Sequence, residues 1–325
     1  MGSAPGGGLE KHRRFSVANA SHAKASQECE PKAKHDWMML TAGTESPTKG
    51  SERLSYFLEH KEKNVWHGKF SIFPEDIVTH AISGRLGGVS KKPYYSLNLA
   101  FHVGDDAETV RDNRQIFAHS LLLNAKDIVS PKQVHGTTVM KVGAEHRGLG
   151  AKDYESAIDD VDALITNEAN VPLLLCFADC TPILIVDPKN RAVGAAHAGW
   201  KGTAGKIAEK TILAMKEAFG TNPEDCLAGI GPSISKAAYE IGEDVAKVFQ
   251  ENFSDSDKFL SAEDGKYHLD LWEANREILL AAGVRAKNID VAKACTYGEN
   301  SWYFSYRAEK GVTGRIGALI ALKNI

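Results

Sequence analysis

The 325-residue sequence has few cysteines, no long apolar run and no excess of charge of one sign. Its five cysteines are an odd and sparse set, which argues against a disulfide framework and favours a reducing compartment. The longest apolar runs, such as Ile316 to Leu322, are far shorter than the roughly 18 residues that span a bilayer. A net charge of −3 provides no basic surface for nucleic acid. We therefore expect a soluble, cytoplasmic protein with no membrane partner and no nucleic-acid partner.

The histidines also lack the arrangement of a copper cluster. Oxidases with several copper ions need about ten histidines, grouped largely as His-x-His pairs, and a thiolate at one copper. This chain has 12 histidines, and none of them forms a His-x-His pair. Phenol oxidation by a copper cluster is therefore excluded as the main function. A single site that takes up Cu²⁺ and gives weak oxidase activity stays open, because Cu²⁺ binds most tightly among the divalent ions.

The first part of the chain differs in composition from the rest. Residues 1 to about 50 are rich in Ser, Ala, Gly and Lys and have almost no apolar periodicity. Through Ser26 the only acidic residue is Glu10, so a plastid or mitochondrial targeting segment and a plain flexible tail are both open. The sequence predicts a disordered or targeting extension over residues 1–64 and one metal-dependent catalytic domain over residues 65–325.

Strand-like and helix-like segments alternate irregularly in that domain. The sequence predicts that Asp106 and Asp270 cap helices and that residues 203–219 form an amphipathic helix, which Thr203 begins and Gly220 ends. It also predicts a helix over residues 236–249, a strand over residues 128–134 that delivers His135, and a strand over residues 315–322. Several predicted strands follow one another without a helix between them. The prediction is therefore a single α+β domain with mixed β-sheets flanked by helices.

Three short segments offer ligands for one metal ion. They are Lys132-Gln-Val-His135-Gly, Ala178-Asp-Cys180-Thr-Pro and Ala195-Ala-His197-Ala-Gly-Trp. Two imidazoles and one thiolate suit Zn²⁺, and three protein ligands leave a fourth position for water or substrate, as in catalytic zinc sites. The alternative for any one of the three is a buried core thiol or a histidine hydrogen-bonded to the backbone.

The spacing of two of these ligands fits a β-hairpin. Cys180 to Asp187 and Arg191 to His197 are apolar strands separated by a turn-forming cluster. If Asp187 faces Asn190, then Cys180 lies directly opposite His197, and opposed side chains have Cβ atoms about 4.5–5.5 Å apart. The two side chains could then share one ion, while His135 must come from elsewhere in the fold.

From residue 77 onward the chain resembles the YfiH family, also described as laccase-domain or multicopper polyphenol oxidase proteins and as purine nucleoside phosphorylases. The resemblance rests on many ordered motifs, among them Gly84-Arg-Leu-Gly-Gly, His102-Val-Gly-Asp-Asp, Gln133-Val-His-Gly, Ala178-Asp-Cys, His197-Ala-Gly-Trp-Lys-Gly and Phe304-Ser-Tyr-Arg307. It implies a single α+β domain of the cysteine-hydrolase-like type and zinc bound by His135, Cys180 and His197. Gly84 departs from the family pattern, which often has Thr there.

The resemblance implies phosphorolysis of adenosine, inosine, guanosine and methylthioadenosine, and hydrolytic deamination of adenosine. The partners would then be a small nucleoside and phosphate, while protein partners stay unknown. Asp162 and Asp179 are the candidates for proton transfer at a zinc-bound water, and Arg85 and Arg307 for holding phosphate. The carboxylates could instead cap turns or orient an imidazole, and Arg307 could form a structural ion pair.

Three further functions stay open. Cys180 could be the nucleophile of a cysteine-type amidase or hydrolase, with His197 as its base. The protein could bind copper and act as a polyphenol oxidase. A non-enzymatic partner protein could also use the metal for stability alone, in which case changes to the ligands would unfold it.

Overall fold

The computed structural model describes residues 55–61 and 65–324. Its first strand, Tyr56–Lys61, belongs to the stretch predicted as an extension, and it pairs with Val65–Phe70 of the predicted domain. The first sheet therefore begins N-terminal to the predicted boundary at residue 65. The prediction of a disordered or targeting segment otherwise concerns residues 1–54 and 62–64, which lie outside the described residues.

The strands form two large sheets and one small sheet. In chain order they are β1 (Tyr56–Lys61), β2 (Val65–Phe70), β3 (Val78–Ser83), β4 (Val139–Lys141), β5 (Ala163–Thr166), β6 (Leu173–Phe177), β7 (Thr181–Asp187), β8 (Ala192–Ala198), β9 (Leu227–Ile230), β10 (Glu240–Ile241), β11 (Leu260–Glu263), β12 (Lys266–Leu269), β13 (Ile289–Val291) and β14 (Ile316–Leu322).

The α-helices lie between strands at irregular intervals. They are α1 (Ala107–Ser120), α2 (Trp200–Ala204), α3 (Ile207–Phe219), α4 (Glu243–Asn252) and α5 (Leu271–Ala281). Asp106 and Asp270 cap α1 and α5 as predicted, because each side chain accepts a hydrogen bond from a backbone N–H three residues later. Gly220 ends α3 in the left-handed conformation that glycine adopts without strain.

The two large sheets face each other and carry the core. The first is antiparallel with the order β1-β2-β3-β14-β6, and the second is mixed with the order β13-β9-β7-β8-β5-β4. Leu175 and Ile320 of the first sheet share a buried cluster with Leu184 and Val193 of the second. Helix α1 covers the outer face of the first sheet, and α3 and α5 cover that of the second. The result is four layers, which confirms the predicted α+β class with mixed sheets flanked by helices.

Strand β7 is buried on both faces. Ile183 and Ile185 belong to the cluster on the helix side, while Leu184 and Val186 belong to the cluster between the sheets. A strand covered on both sides shows a continuous apolar run instead of alternation, as this one does. Burial of each such side chain contributes about 1.5–3 kcal/mol, so β7 is a rigid base for Cys180, which directly precedes it.

The predicted register of the hairpin is wrong. Strand β7 pairs Asp187 with Ala192, so His197 lies opposite Pro182 instead of opposite Cys180. The cause is a longer turn, because the Asp187 carboxylate accepts hydrogen bonds from the N–H groups of Lys189 at 3.0 Å and Asn190 at 3.1 Å. The shift moves His197 by two positions relative to Cys180. A shift of two keeps both side chains on the same face of the sheet.

The single helix predicted over residues 203–219 is two helices. Lys206 has a left-handed backbone with φ of 58°, which separates α2 from α3. Thr203 does not cap α3; its hydroxyl is buried and accepts a hydrogen bond from Asn275 of α5 at 3.0 Å. The contact between helices therefore overrides the local capping pattern.

Two further segments differ from the predicted elements. Residues 236–249 are not one helix, because a short helical turn and β10 precede α4. Residues 128–134 are not a strand; Val129 and Pro131 form isolated bridges, and the chain then turns toward the metal ligands. Among the described residues, no helix has both the length and the apolar character needed to cross a membrane.

Candidate metal centre

The three predicted metal ligands converge. One ligand atom each from His135, Cys180 and His197 lie within 4.8 Å of one another. In the described part of the chain this is the one group of three or more histidine, cysteine or acidic side chains with that geometry. His197 is buried, Cys180 is half-buried and His135 is exposed, so the group lies at the surface end of the sheet with one side open.

Each ligand comes from a different structural element. His197 lies within β8, and Cys180 directly precedes β7. His135 comes from the loop before β4 and has a left-handed backbone with φ of 60°. Such a conformation costs of order 1–3 kcal/mol for a residue other than glycine and is found where the surroundings hold it in place.

Asp162 holds both histidines. Its Oδ1 accepts the N–H of His135 at 3.0 Å and contacts Nδ1 of His197 at 2.8 Å. Its Oδ2 accepts the N–H groups of Val134 at 3.2 Å and Gly136 at 2.6 Å. The left-handed turn at His135 is what points these three successive N–H groups at one carboxylate. With Nδ1 of His197 bonded to Asp162, its Nε2 is left for a metal ion.

The electrostatics of the site favour charged ligands. Burial raises the pKa of the Cys180 thiol, but His197 and His135 outweigh burial and lower that pKa to about 6. Burial lowers the pKa of His197, but the Cys180 thiolate and Asp162 outweigh it and raise the pKa to about 9. Without a metal ion, the pair is therefore a thiolate beside an imidazolium near neutral pH.

The donor set fits Zn²⁺. Zinc bond lengths of about 2.3 Å to sulfur and 2.0–2.1 Å to nitrogen put tetrahedral ligand atoms about 3.3–3.6 Å apart. Sγ of Cys180 lies 4.0 Å from Nδ1 of His135, and all three ligand atoms lie within 4.8 Å of one another, so the ligands would move together slightly to hold the ion. Gly199 makes the close approach possible, because a Cβ there would lie 2.8 Å from Nδ1 of His135 and 2.9 Å from Sγ of Cys180.

Asp179 joins the cysteine loop to the C-terminal loops. Its backbone is left-handed with φ of 76°, and the residue is 9% exposed. Its carboxylate accepts hydrogen bonds from the hydroxyl of Thr296 at 2.7 Å and the N–H of Arg307 at 2.6 Å. Asp179 therefore fixes the backbone next to Cys180, and it still has acceptor capacity beyond these two bonds.

The two arginines predicted to hold phosphate have different surroundings. Arg307 is exposed beside the site, where its guanidinium donates to the carbonyl of Glu240 at 3.0 Å and lies 5.5 Å from the centre of the Tyr239 ring. The Arg85 side chain is 12% exposed, and its guanidinium pairs with Glu309 at 3.0 Å. It also donates to the carbonyl oxygens of residues 95 and 300, so Arg85 ties separate loops together.

The sequence motifs did not indicate a role for Gly199. Residues 200–204 form the short helix α2 with Gly199 as its N-cap. The signal in the sequence was the glycine two residues after a ligand histidine at the end of a strand. A glycine there permits the backbone to approach the ligands closely.

Comparisons with known proteins give consistent matches. The family described as multi-copper polyphenol oxidoreductase laccase matches residues 79–323 of this chain. Purine nucleoside phosphorylase of Bacteroides thetaiotaomicron is 39% identical over 241 residues, which cover 74% of this chain and 89% of that protein. Adenosine deaminase RL5 of an unknown prokaryotic organism is 36% identical over 230 residues, which cover 70% of this chain and 87% of that protein.

A solved structure has the same fold. The crystal structure of the Bacillus licheniformis hypothetical protein YfiH superposes with a TM-score of 0.74 at 38% identity and covers 76% of this chain and 93% of that chain. The match confirms both the predicted single α+β domain and the resemblance stated from the motifs.

Proposed function

Because the chain belongs to the YfiH family, whose domain is described as multi-copper polyphenol oxidoreductase laccase, we propose that it is a zinc-dependent purine nucleoside enzyme. The observation that carries the proposal is the convergence of His135, Cys180 and His197 with one side open to solvent. Three ligands with an open position are typical of catalytic zinc. Relatives named purine nucleoside phosphorylase and adenosine deaminase support a nucleoside as the substrate.

In deamination of adenosine, bound zinc would lower the pKa of a water molecule toward neutrality so that it can attack C6 of the purine. The residues of the chain have separate tasks. All four acceptor positions of Asp162 are occupied by N–H groups, so we assign it to orienting His197 and the His135 loop. Asp179 has spare acceptor capacity beside Cys180, which makes it the better candidate for proton transfer.

In phosphorolysis, a phosphate oxygen forms a bond to the anomeric carbon of ribose while the bond from that carbon to the purine nitrogen breaks. The purine leaves with the bonding electrons and takes up a proton. Arg307 is exposed beside Asp179, so we assign it to contact with the substrate. Arg85 is committed to Glu309 and two carbonyls, so we assign it to holding the loops.

A copper-based oxidase is less consistent with the site. Enzymes with several copper ions need several ligand groups, whereas the described residues contain one group of this kind. The same two imidazoles and thiolate would nevertheless accept Cu²⁺ when copper is supplied, since copper binds such ligands more tightly than zinc does. Measurement of the zinc and copper content of protein purified without added metal distinguishes the two possibilities.

A second candidate function is favoured by one contact. In a cysteine hydrolase, Cys180 would be the nucleophile, His197 the base and Asp162 the acid that orients the base. The Cys180 thiol has a pKa of about 6, and Asp162 contacts Nδ1 of His197 at 2.8 Å, as these roles require. In that function zinc would inhibit, because it would occupy the nucleophile. Stoichiometric zinc that protects Cys180 from alkylation by iodoacetamide, together with nucleoside turnover, would exclude the hydrolase.

The experiment that tests the proposal combines metal analysis and product analysis. Zinc would be measured by mass spectrometry, and the protein would be incubated with adenosine, inosine, guanosine or methylthioadenosine, with and without phosphate. We expect about one zinc per chain, free purine base with phosphate present, and inosine from adenosine. His135→Ala should lose both zinc and turnover, whereas His119→Ala, at the exposed end of α1, should keep both. Turnover by His135→Ala at the wild-type rate would reject the proposal, as would the absence of every product from the zinc-loaded protein.

A further inference from the structure

Tyr306 is an exposed aromatic residue next to the candidate metal centre. It is 54% exposed and belongs to the Phe304-Ser-Tyr-Arg307 motif, of which the proposed function uses only Arg307. Single exposed apolar side chains are common on protein surfaces, so exposure alone assigns no role to this one. The position of the residue and the contacts that hold its ring decide the matter.

Backbone contacts fix the Tyr306 loop to the loop that carries a metal ligand. The N–H of Arg307, the next residue, donates to the Asp179 carboxylate at 2.6 Å, and Asp179 directly precedes Cys180. The same carboxylate accepts the hydroxyl of Thr296 at 2.7 Å. Tyr306 is therefore one residue away from a direct hydrogen bond to the segment that presents the thiolate.

Arg315, which contacts the Tyr306 ring, is also placed beside the metal ligands. It directly precedes β14, whose first residue, Ile316, pairs with Phe177 of β6. The ring of Phe177 lies 5.3 Å from the ring of the ligand His197. The sheet register therefore brings the start of β14 to the same end of the fold as the metal centre.

The side chain of Arg315 covers one face of the Tyr306 ring. Its guanidinium carbon lies over the ring, 5.6 Å from the centre. The guanidinium also donates to the carbonyl oxygens of residues 313 and 314, at 2.8 and 2.9 Å, which fixes its own position. A guanidinium group over an aromatic face is a favourable arrangement, so this contact holds the ring from one side.

Gly311 holds the edge of the same ring. Its N–H donates to the carbonyl oxygen of Tyr306 at 2.8 Å, and a Cβ at Gly311 would lie 3.2 Å from the Tyr306 hydroxyl oxygen. The Gly311 backbone is left-handed with φ of 91°, so glycine is suited to this close approach. The ring is thus held at one face and one edge while more than half of the residue stays exposed.

The other aromatic ring near the site has a structural explanation. Tyr239 is half-buried and packs against the hydrophobic cluster between the second sheet and its helices. Tyr306 belongs to none of the hydrophobic clusters in the part of the chain that the structure describes. Packing of the core therefore accounts for Tyr239 but not for Tyr306.

We propose that Tyr306 binds the purine base of the nucleoside by stacking, with the ring face opposite Arg315. The inference deepens the proposed function and rests on it, because it names the group that recognises the base. Every nucleobase has an aromatic face, and stacking on an aromatic side chain tolerates differences between bases. One such contact therefore suits adenosine, inosine and guanosine alike. A ring that is already held in place also loses little freedom when the base binds.

The test measures nucleoside binding at equilibrium, so it does not depend on turnover. Zinc-loaded full-length protein would be titrated with inosine in the absence of phosphate by isothermal titration calorimetry. Inosine then has no phosphate to react with and no amino group to lose. For Tyr306→Ala we expect the dissociation constant to rise about tenfold or more, whereas Tyr306→Phe, which keeps the aromatic face, should stay within about twofold of wild type.

Leu213→Ala is the matched control. Leu213 lies on α3 and is 52% exposed, so the variant removes an equally exposed apolar side chain. We expect it to bind inosine with wild-type affinity. Thermal unfolding and zinc content would establish that each variant is folded and loaded. Wild-type affinity for inosine in Tyr306→Ala would overturn the stacking contact, as would an equal loss of affinity in Tyr306→Phe, because the hydroxyl would then be the contact.

Free hypoxanthine distinguishes the base from the ribose. In displacement titrations against inosine, Tyr306→Ala should weaken the binding of hypoxanthine by about the same factor as that of inosine. A loss of affinity confined to inosine would assign Tyr306 to the ribose and overturn the proposal.

Failure of the stacking contact and failure of the proposed function give different results. Nucleoside turnover together with inosine binding that does not depend on Tyr306 rejects the contact and leaves the enzyme. Inosine binding that depends on Tyr306, without turnover of any nucleoside, supports the contact and rejects the enzyme. No binding of inosine to the zinc-loaded wild-type protein would also reject the contact.

Discussion

Replacement of Asp162 by Asn tests how the metal centre is organised. The Asp162 carboxylate is fully buried and receives three backbone N–H groups and Nδ1 of His197 on its two oxygens. Asparagine has nearly the same shape but one acceptor oxygen, so its NH₂ group must face two donors whichever way the amide is oriented. The substitution therefore changes hydrogen bonding with little change in volume.

Both orientations of the amide are unfavourable. If the NH₂ group faces the N–H groups of Val134 and Gly136, the loop that presents His135 loses its anchor. If it faces His197, the imidazole must accept at Nδ1 and carry its proton on Nε2, the nitrogen that is left for the metal. Two hydrogen bonds to a charged acceptor are lost in either case, at about 1.5–3 kcal/mol each.

The expected result is a loss of zinc affinity. Changes to groups that orient metal ligands lower affinity by about 10–100-fold, which corresponds to about 1.4–2.7 kcal/mol. Affinity would be measured by competition with a chromophoric chelator, and the free energy of unfolding of the metal-free protein by urea denaturation. We expect that free energy to fall by about 3–6 kcal/mol, from the two lost hydrogen bonds.

Asp187→Asn is the matched control. Asp187 is also fully buried and accepts three hydrogen bonds, from Lys189 and Asn190, but it lies at the opposite end of β7 from Cys180. We expect this variant to be less stable but to bind zinc with wild-type affinity. Zinc affinity of Asp162→Asn within threefold of wild type would refute the reasoning. So would an equal loss in the control, because the effect would then follow stability instead of ligand orientation.

Three further predictions follow from the same contacts. Between pH 7 and 8.5 zinc affinity should rise about tenfold per pH unit. Cys180, with a pKa of about 6, is already a thiolate in this range, whereas His197, with a pKa of about 9, must release one proton before it binds the metal. A zinc affinity that does not change with pH would contradict this prediction. Gly199→Ala should lower zinc affinity at least tenfold in the chelator assay, because its Cβ would lie within 2.9 Å of two ligands. Arg85→Gln should lower the free energy of unfolding by about 1–3 kcal/mol and leave the KM for phosphate within twofold of the wild-type value. A large rise in that KM would instead show that Arg85 contacts phosphate.

The sequence predicted the structural features that depend on neighbouring residues. The capping carboxylates of α1 and α5, the left-handed glycine after α3 and the apolar strands β7 and β14 were all predicted, because each depends on neighbours within a few residues. The three candidate metal ligands that converge in the structure were also identified, since imidazoles and a thiolate in strongly patterned segments are typical of one kind of site.

Long-range packing decided most of the rest. The break before α3 accompanies the contact from Asn275 to Thr203, which are 72 residues apart. The hairpin register was missed for a local reason, because hydrogen bonds from Lys189 and Asn190 to Asp187 lengthen the turn. The sequence also could not predict which charged side chains are bound by other protein groups and which are free to contact a substrate. That difference depends on the hydrogen-bond partners that the four layers place beside each side chain. Four N–H groups occupy the Asp162 carboxylate, and Arg85 is paired with Glu309 and two carbonyl oxygens.

The residue types and their order along the chain were sufficient to determine the fold class and to identify a cysteine and two histidines as candidate ligands for one ion. Only the tertiary structure decided the distances between those ligands, the carboxylate that orients them and the side of the site that stays open. The physical reason is that capping, strand burial and ligand chemistry depend on short stretches of chain. Charge pairing instead depends on atoms that are far apart along the chain, as in the ion pair between Arg85 and Glu309, which are 224 residues apart.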